Sequence, residues 1–566
     1  MVKIETPKVL VCLSYNSLFV DYESVNPIQL IQNIPSLKAL EYITTRTNNL
    51  MYSFSDTDKQ IESIYEMSCF FDDEVRVKAT QFIGKYDNPY MIDLNSTFLF
   101  YMLILQNYNT ETRLITNDDI INIYKAYLYC SQLWTDKQIN VGTGFSSLVE
   151  AAIRIDLPIV EFKLYKDFKP QIYKASRFFQ FCDTDVKFKE FVKWFYEDKG
   201  VSNQIDYITR LFSFYSSTLD SIYVKIPQEF LAQISFFDQF TVELQNCSEL
   251  WNNKDMNYLR DHFLLKIDSN TYLVLNSNLL VDKLYQGLIF DFWKVIEVHN
   301  GTNRKGKLIK NFGDFKSVLG DEFSETMIFY NLMEMAFGSL GYVQLTGNNM
   351  KSSGVIAEPD YYMRKDNNIF LFEYKDIIIK DDVKNSDDFE YITTEILNKI
   401  CKDSETEKKG GAQLLFNLNR IYNEHLLDNL DQQVNENTIA YPIIVVNDRA
   451  FDSLGINYLF AEKFNEIIVN KYPSLIGKLH EPIIISIDAL FSLTTRLKNG
   501  TIDLQNLLDD YNSIYINSQT SIMSLSTFLA DYYPPTVQTQ DDINYLFGSL
   551  FHKIGEIVDD ESNNGI

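Results

Sequence analysis

The narrowest constraint on this chain's fold is the stretch of residues 367–379, NNIFLFEYKDIII. Ile, Phe and Leu crowd its middle and polar residues precede it, which predicts a buried strand. Side chains alternate along a strand, so Glu373 and Lys375 share one face while Phe372 and Tyr374 share the other. A carboxylate and an ammonium inside an apolar strand are costly to bury without partners. Asp360 is the candidate partner, in a segment (355–363) that reads as the neighbouring strand. The bland alternative makes Glu373 and Lys375 a surface pair on an edge strand and Pro359-Asp360 a turn. Upstream, residues 321–337 (DEFSETMIFYNLMEMAF) predict a helix. Its stripe of Ile328/Phe329, Leu332 and Ala336 would turn Glu325 towards the core. Favourable placement near a helix N-terminus is the alternative account of Glu325, and Glu334 projects elsewhere. Downstream, Lys409-Gly-Gly-Ala-Gln413 opens a further helix with its stripe at Leu414/Leu415, Leu418 and Ile421/Tyr422.

Pro359-Asp360 followed by Glu373-x-Lys375 resembles the motif of the PD-(D/E)xK nuclease superfamily, the restriction-endonuclease-like proteins, over residues of about 315–450. The resemblance implies Asp360 and Glu373 as ligands of Mg²⁺, for which Mn²⁺ substitutes, with Lys375 as a water-positioning cation. Carboxylate oxygens suit a small hard cation that keeps several waters. Glu325 corresponds to a glutamate that family members carry on the helix before the first core strand, which the resemblance implies as a further catalytic residue and metal ligand, and residues 341–346 would be that strand. Gln413 corresponds to a glutamine beside the active site, with a structural hydrogen-bonding role as the alternative. In some branches a Tyr follows that Gln by four residues; here the position is Asn417, a departure that sets this chain apart from them. Residues 439–446 (IAYPIIVV) complete the order helix, three strands, helix, strand.

The acidic balance, a net charge of −26, argues against a general nucleic-acid-binding surface, since phosphate contacts need Lys and Arg. Any DNA contact must be local, and Arg304, Lys305, Lys307 and Lys310, with Lys316 nearby, are the best patch, unless they form a solvated loop. Six cysteines lie scattered without Cys-x-x-Cys spacing, so neither a zinc site nor a disulfide framework is indicated. The five histidines do not cluster. The start lacks the order of a signal peptide, and no apolar run reaches membrane-spanning length, which predicts a cytoplasmic protein without membrane contact.

The expected fold class is multidomain α+β, with a mainly helical N-terminal region before a restriction-endonuclease-like core whose mixed sheet is flanked by helices. Residues 1–255 read as a helical accessory region. A β-hairpin at 262–276 and an apolar helix at 279–298 form a connector within 256–300, followed by the nuclease-like domain at 301–500 and a helical extension at 501–566. A charged insertion at 381–409 is placed to gate substrate or meet a partner. The expected function is Mg²⁺-dependent endonucleolytic hydrolysis of DNA, in a bacterial antiviral defence or restriction setting, regulated by the helical region or a protein partner, with a homodimer as the other partner expected. RNA as substrate, or an inactive nuclease-like scaffold, is the alternative.

Overall fold

In the computed structural model, residues 10–51, 53, 56–142, 146–158, 160, 166–254, 256–513, 522–536, 538–548 and 550 are described. The chain divides into two compact units. Among the described residues, one comprises 141–161 and 310–546; the other comprises 10–140, 162–309 and 547–550. These limits differ from the sequence reading. The hairpin and apolar helix taken as a connector belong to the helical unit, and much of the supposed C-terminal extension belongs to the sheet-containing one.

The sheet-containing unit is built on five strands: β1 (Val343–Thr346), β2 (Tyr361–Lys365), β3 (Asn368–Lys375), β4 (Ile439–Val446) and β5 (Ile483–Ser486). Their order is β5-β4-β3-β2-β1, antiparallel among β1, β2 and β3 and parallel from β3 through β5. β3 is therefore the central strand, which explains an apolar run that does not alternate with polar residues: both its faces are covered. Its even-numbered side chains meet aromatic rings, with Phe329 stacked on Tyr374 at 5.4 Å and Phe370 on Tyr441 at 4.9 Å. Ile369 and Leu371 on the other face join a core with Leu414, Leu415, Leu418 and Phe460, which the helices Gly411–Asn423 and Ile456–Lys471 contribute. The helix Leu148–Asp156 adds Ile153 to the same core, and the Asp156 carboxylate accepts the Leu454 N–H at 2.9 Å.

Sequence and structure part at several ends. β2 begins only at Tyr361, because Ala357 takes a left-handed backbone (φ 53°) that an extended segment cannot contain. β3 ends at Lys375, where Asp376 turns to partners off the sheet. The helix before β1 starts as a π-helix over Gly320–Tyr330 and becomes α-helical over Asn331–Phe337. Its buried residues fall at 323/324, 328–330, 332/333 and 336/337, groups that begin five residues apart and then four. The wider first step follows from i→i+5 hydrogen bonding.

A buried ion pair fastens β2 to the loop before β4. Arg364 donates from Nε and Nη2 to both carboxylate oxygens of Asp431, at 2.5 and 2.9 Å, and the Tyr362 hydroxyl donates to Oδ2 at 2.8 Å. Arg364 and Asp431 are each 5 % exposed. Because Arg364 still satisfies the carboxylate, Tyr362→Phe is expected to cost only about 1.5 kcal/mol, the worth of one hydrogen bond to a charged group, read from the denaturation midpoint in urea.

The other unit is mainly helical. The helix Leu94–Gln106 is buried on every side over its first twelve residues, the mark of a central helix. The predicted hairpin forms from Leu264–Lys266 and Thr271–Val274, and Tyr223–Lys225 adds an unforeseen third antiparallel strand. The apolar helix predicted at 279–298 is two helices, Asn278–Leu284 and Gln286–Val298. All six cysteines are free thiols. Among the described residues no helix is long and apolar enough to cross a membrane.

Candidate active site

Charged side chains gather where β2 begins and β3 ends. Pairing of Tyr361 with Phe372 places Asp360 beside the C-terminal half of β3, and its Oδ2 accepts the Tyr374 N–H at 2.7 Å. The neighbouring backbone is held close by Gly347, whose N–H donates to the Asp360 carbonyl at 2.7 Å. A Cβ at residue 347 would stand 3.0 Å from the Tyr330 hydroxyl and 3.3 Å from two carbonyl oxygens, so glycine is what lets this corner close.

Glu373 points from β3 with no exposure to solvent. Its Oε1 accepts from Lys375 Nζ at 2.5 Å, and its Oε2 has no hydrogen-bond partner among the described residues. Burial, then the neighbouring Asp360 charge, push the Glu373 carboxyl up to about 8, although Lys375 pulls the other way. For Lys375 burial favours the neutral amine, yet Glu373, Asp360 and Glu325 together hold the ammonium above its ordinary range. Lys375 keeps 19 % of its side chain exposed, enough to reach solvent or a ligand.

Glu325 is near enough to bear on both charges, but it does not face the core as the α-helical stripe predicted. The five-residue step puts Ser324 at the inward position, 1 % exposed, and leaves Glu325 half-buried at the edge with the Tyr330 hydroxyl donating to its Oε1. Ser324 instead donates to Asp376 at 2.5 Å. Asp376 also accepts from Lys316 Nζ at 2.5 Å and Asn447 Nδ2 at 3.1 Å. This cluster ties the π-helix, the end of β3 and the end of β4 together beside Lys375. Its other members lie 52 to 71 residues from Asp376 in sequence, so only Lys316 stood out beforehand, as a patch residue.

On the Lys375 side lies an open cleft of about 430 Å³, lined by Lys375, Gln413, Lys399, Lys408, Lys409 and Glu407 among others. Gln413 thus shares a cleft with Lys375. The approach of its helix depends on Gly410, at φ 55°, where a Cβ would fall 2.0 Å from the Ile400 carbonyl oxygen. Asn417, a turn further on, is fully buried, and neither of its side-chain amide atoms has a partner among the described residues. Of the predicted basic patch, Arg304, Lys305 and Lys307 belong to the helical unit and Lys310 to the sheet-containing one. All four are exposed, Arg304 in an ion pair with Asp185. Glu334 is exposed as well.

Among the described residues no three His, Cys, Asp or Glu side chains are grouped closely enough to hold a metal ion between them. No protein-family model, curated protein or solved structure matches the chain.

Proposed function

We propose that this protein is a metal-dependent phosphodiesterase of the PD-(D/E)xK type that cuts nucleic acid, DNA in the first instance, with Asp360, Glu373 and Lys375 at its centre. The observation that carries the reading is Glu373: a carboxylate wholly inside the protein, beside a second carboxylate, with one oxygen unpartnered among the described residues and a lysine on the other. A fold that only needed packing there would place an apolar residue at that position, since a buried ion pair is a weak source of stability. Perturbed groups of this kind, set beside a cleft, mark functional sites.

The donor chemistry fits Mg²⁺. Carboxylate oxygens are its preferred ligands, and one or two suffice because the ion keeps most of its waters. The lack of a three-ligand group among the described residues is therefore compatible with it. Asp360 and Glu373 would hold the ion, with Glu325, whose charge acts on both Glu373 and Lys375, on the same side of the site. When bound, Mg²⁺ would set positive charge against the scissile phosphate and make water more acidic. Lys375 then has a separate task. Its ammonium, held charged by three carboxylates, stabilises negative charge that develops on the phosphate and orients water through its remaining N–H groups. Gln413, from the same cleft, offers a neutral donor and acceptor for positioning the strand.

The deciding comparison is Asp360→Asn. The amide oxygen can still accept the Tyr374 N–H, so the fold is expected to survive, but one ligand charge is lost. With Mg²⁺ or Mn²⁺ and supercoiled plasmid or linear single- and double-stranded DNA, wild type should cut and the variant should be slowed at least about 10²-fold, the scale of removing one group from a preorganised charge site. Equal cutting by both would remove Asp360 from the site. Absence of cutting by wild type on DNA and RNA alike, in the presence of either metal, would favour an inactive scaffold.

A further inference from the structure

The wall of the cleft opposite β3 comes from the segment between β3 and the Gln413 helix, and it is unlike the rest of the molecule. The chain has 77 acidic and 51 basic side chains, yet the cleft is lined by four lysines and a single carboxylate. That carboxylate, Glu407, is already matched by Lys409 at 2.8 Å and by Lys402 at 2.5 Å. Lys399 and Lys408 have no carboxylate partner among the described residues, although acidic residues abound; Lys408 lies over the Phe416 ring at 5.5 Å. The backbone gives the wall a definite shape: Lys399 stands in the last turn of the helix Phe389–Ile400, and Lys408 pairs with Asp403 across a short bridge that closes the turn between them. Lys375 is matched by Glu373 and Lys409 by Glu407, which leaves Lys399 and Lys408 as positive charge at the cleft that an anion bound there would offset.

We infer that Lys399, Lys408 and Lys409 grip the phosphates that flank the one held at Lys375, and that the cleft admits one nucleic-acid strand at a time. This rests on the phosphodiester reading of the same site and adds to it the residues that bind the substrate, a role the sequence had given to Arg304, Lys305, Lys307 and Lys310. The strand count follows from size. A cleft of about 430 Å³ is at the lower end of the range that encloses one small molecule, the scale of a nucleotide. A duplex is too wide to lie inside it and would have to sit across its mouth, presenting one strand to Lys375. A charged groove that follows one backbone is how single strands are held without regard to sequence.

The test is equilibrium binding of a fluorescent oligothymidylate of about 15 nucleotides, and of the corresponding duplex, to the full chain in EDTA. Binding is followed by anisotropy between about 50 and 200 mM salt. Each phosphate contact with a single strand contributes about 0.7 to the log–log salt slope. The variant Lys399→Ala/Lys408→Ala/Lys409→Ala should thus flatten the wild-type slope by about 2, and the single strand should bind more tightly than the duplex. The three side chains are partly or wholly exposed, and an unchanged melting temperature would establish that the variant is folded; Lys408→Arg should keep the wild-type slope. An unchanged slope in the folded triple variant, or a duplex bound as tightly as the single strand, overturns the inference. Because metal and cleavage play no part in the readout, a wild type that binds through these lysines but never cuts would sink the nuclease reading alone. One that cuts with an unchanged slope in the variant would sink only the grip.

Discussion

Replacing Lys375 with methionine should lower metal-dependent cleavage by about 10²–10³-fold, the effect of deleting one preorganised donor from a site where negative charge develops. The substitution keeps the length of the side chain and removes its charge. Two losses then coincide. The cation that faces the phosphate is gone, and the charge that pulls the Glu373 proton off is gone as well. Glu373 stands at about 8 with Lys375 present, so in the metal-free protein it already holds its proton at neutral pH; without Lys375 the carboxyl rises further, and a metal ion must displace that proton at a greater cost. This protonation also limits the damage to the fold, because a buried acid that can become neutral does not leave a bare charge inside the protein.

The same reasoning gives the metal-free protein a definite pH dependence. The Glu373 carboxyl ionises near 4.5 in the unfolded chain and at about 8 when folded. Below 4.5 both states hold the proton and the group makes no difference. As the pH rises above that value the unfolded state alone releases it, and stability declines until the folded state releases it too, near 8. The total is a few kcal/mol, since each unit of difference is worth about 1.4 kcal/mol. Thermal unfolding in EDTA should show this decline in wild type, its extension to higher pH in Lys375→Met, and its absence in Glu373→Gln. A Lys375→Met protein that cuts at the wild-type rate would remove the lysine from the chemistry.

Much of the sheet could be read in advance because the strands carry their own record. β3 and β4 are apolar on both faces and could be little else than central strands, and β5 repeats the pattern as Ile483-Ile484-Ile485. The charges on β3 were legible for the complementary reason, that nothing in an apolar strand calls for them. The π-helix escaped because a search at a period of 3.6 assigns Glu325 to the stripe occupied by Ser324. Only the spacing of Phe323 from Ile328, set against that of Ile328 from Leu332, records the wider step. Gly410 and Gly411 looked like a helix start. Their necessity lies in the Ile400 carbonyl and the Phe460 ring, which a Cβ would meet at 2.0 and 2.5 Å, contacts that no local pattern encodes. The lysine wall was visible only as a charged insertion, since the fold decides which of its many charges face Lys375. For β2 the pattern was right and its start was not, because one left-handed residue, Ala357, ends the extended segment without a change of composition.

The largest effect on folding and activity together should come from Asp376→Ala. The Asp376 and Lys316 side chains are only 10 % and 13 % exposed and meet at 2.5 Å, so truncating the acid leaves an ammonium without its counter-charge, and Ser324 and Asn447 without their common acceptor. Burial by itself raises the Asp376 carboxyl, but Lys316, Ser324 and Asn447 more than offset this and hold it below the ordinary range. The cluster therefore stabilises the fold above the pKa of an unfolded aspartate and stops doing so as the pH falls through the lower folded value. Loss of one partner from such a pair costs about 3 kcal/mol or more, measurable as a lower urea midpoint near neutral pH; the deficit should narrow in acid, where wild type loses the contribution too. Removing both charges, in Asp376→Ala/Lys316→Met, should recover much of the stability, because no ion is then left uncompensated. Cleavage should not recover with it. Asp376 fastens the π-helix that carries Glu325 to the end of the strand that carries Glu373 and Lys375, and apolar replacements restore burial without restoring that register. A double variant that regains stability and cleavage alike would show that the register of these two elements is set elsewhere.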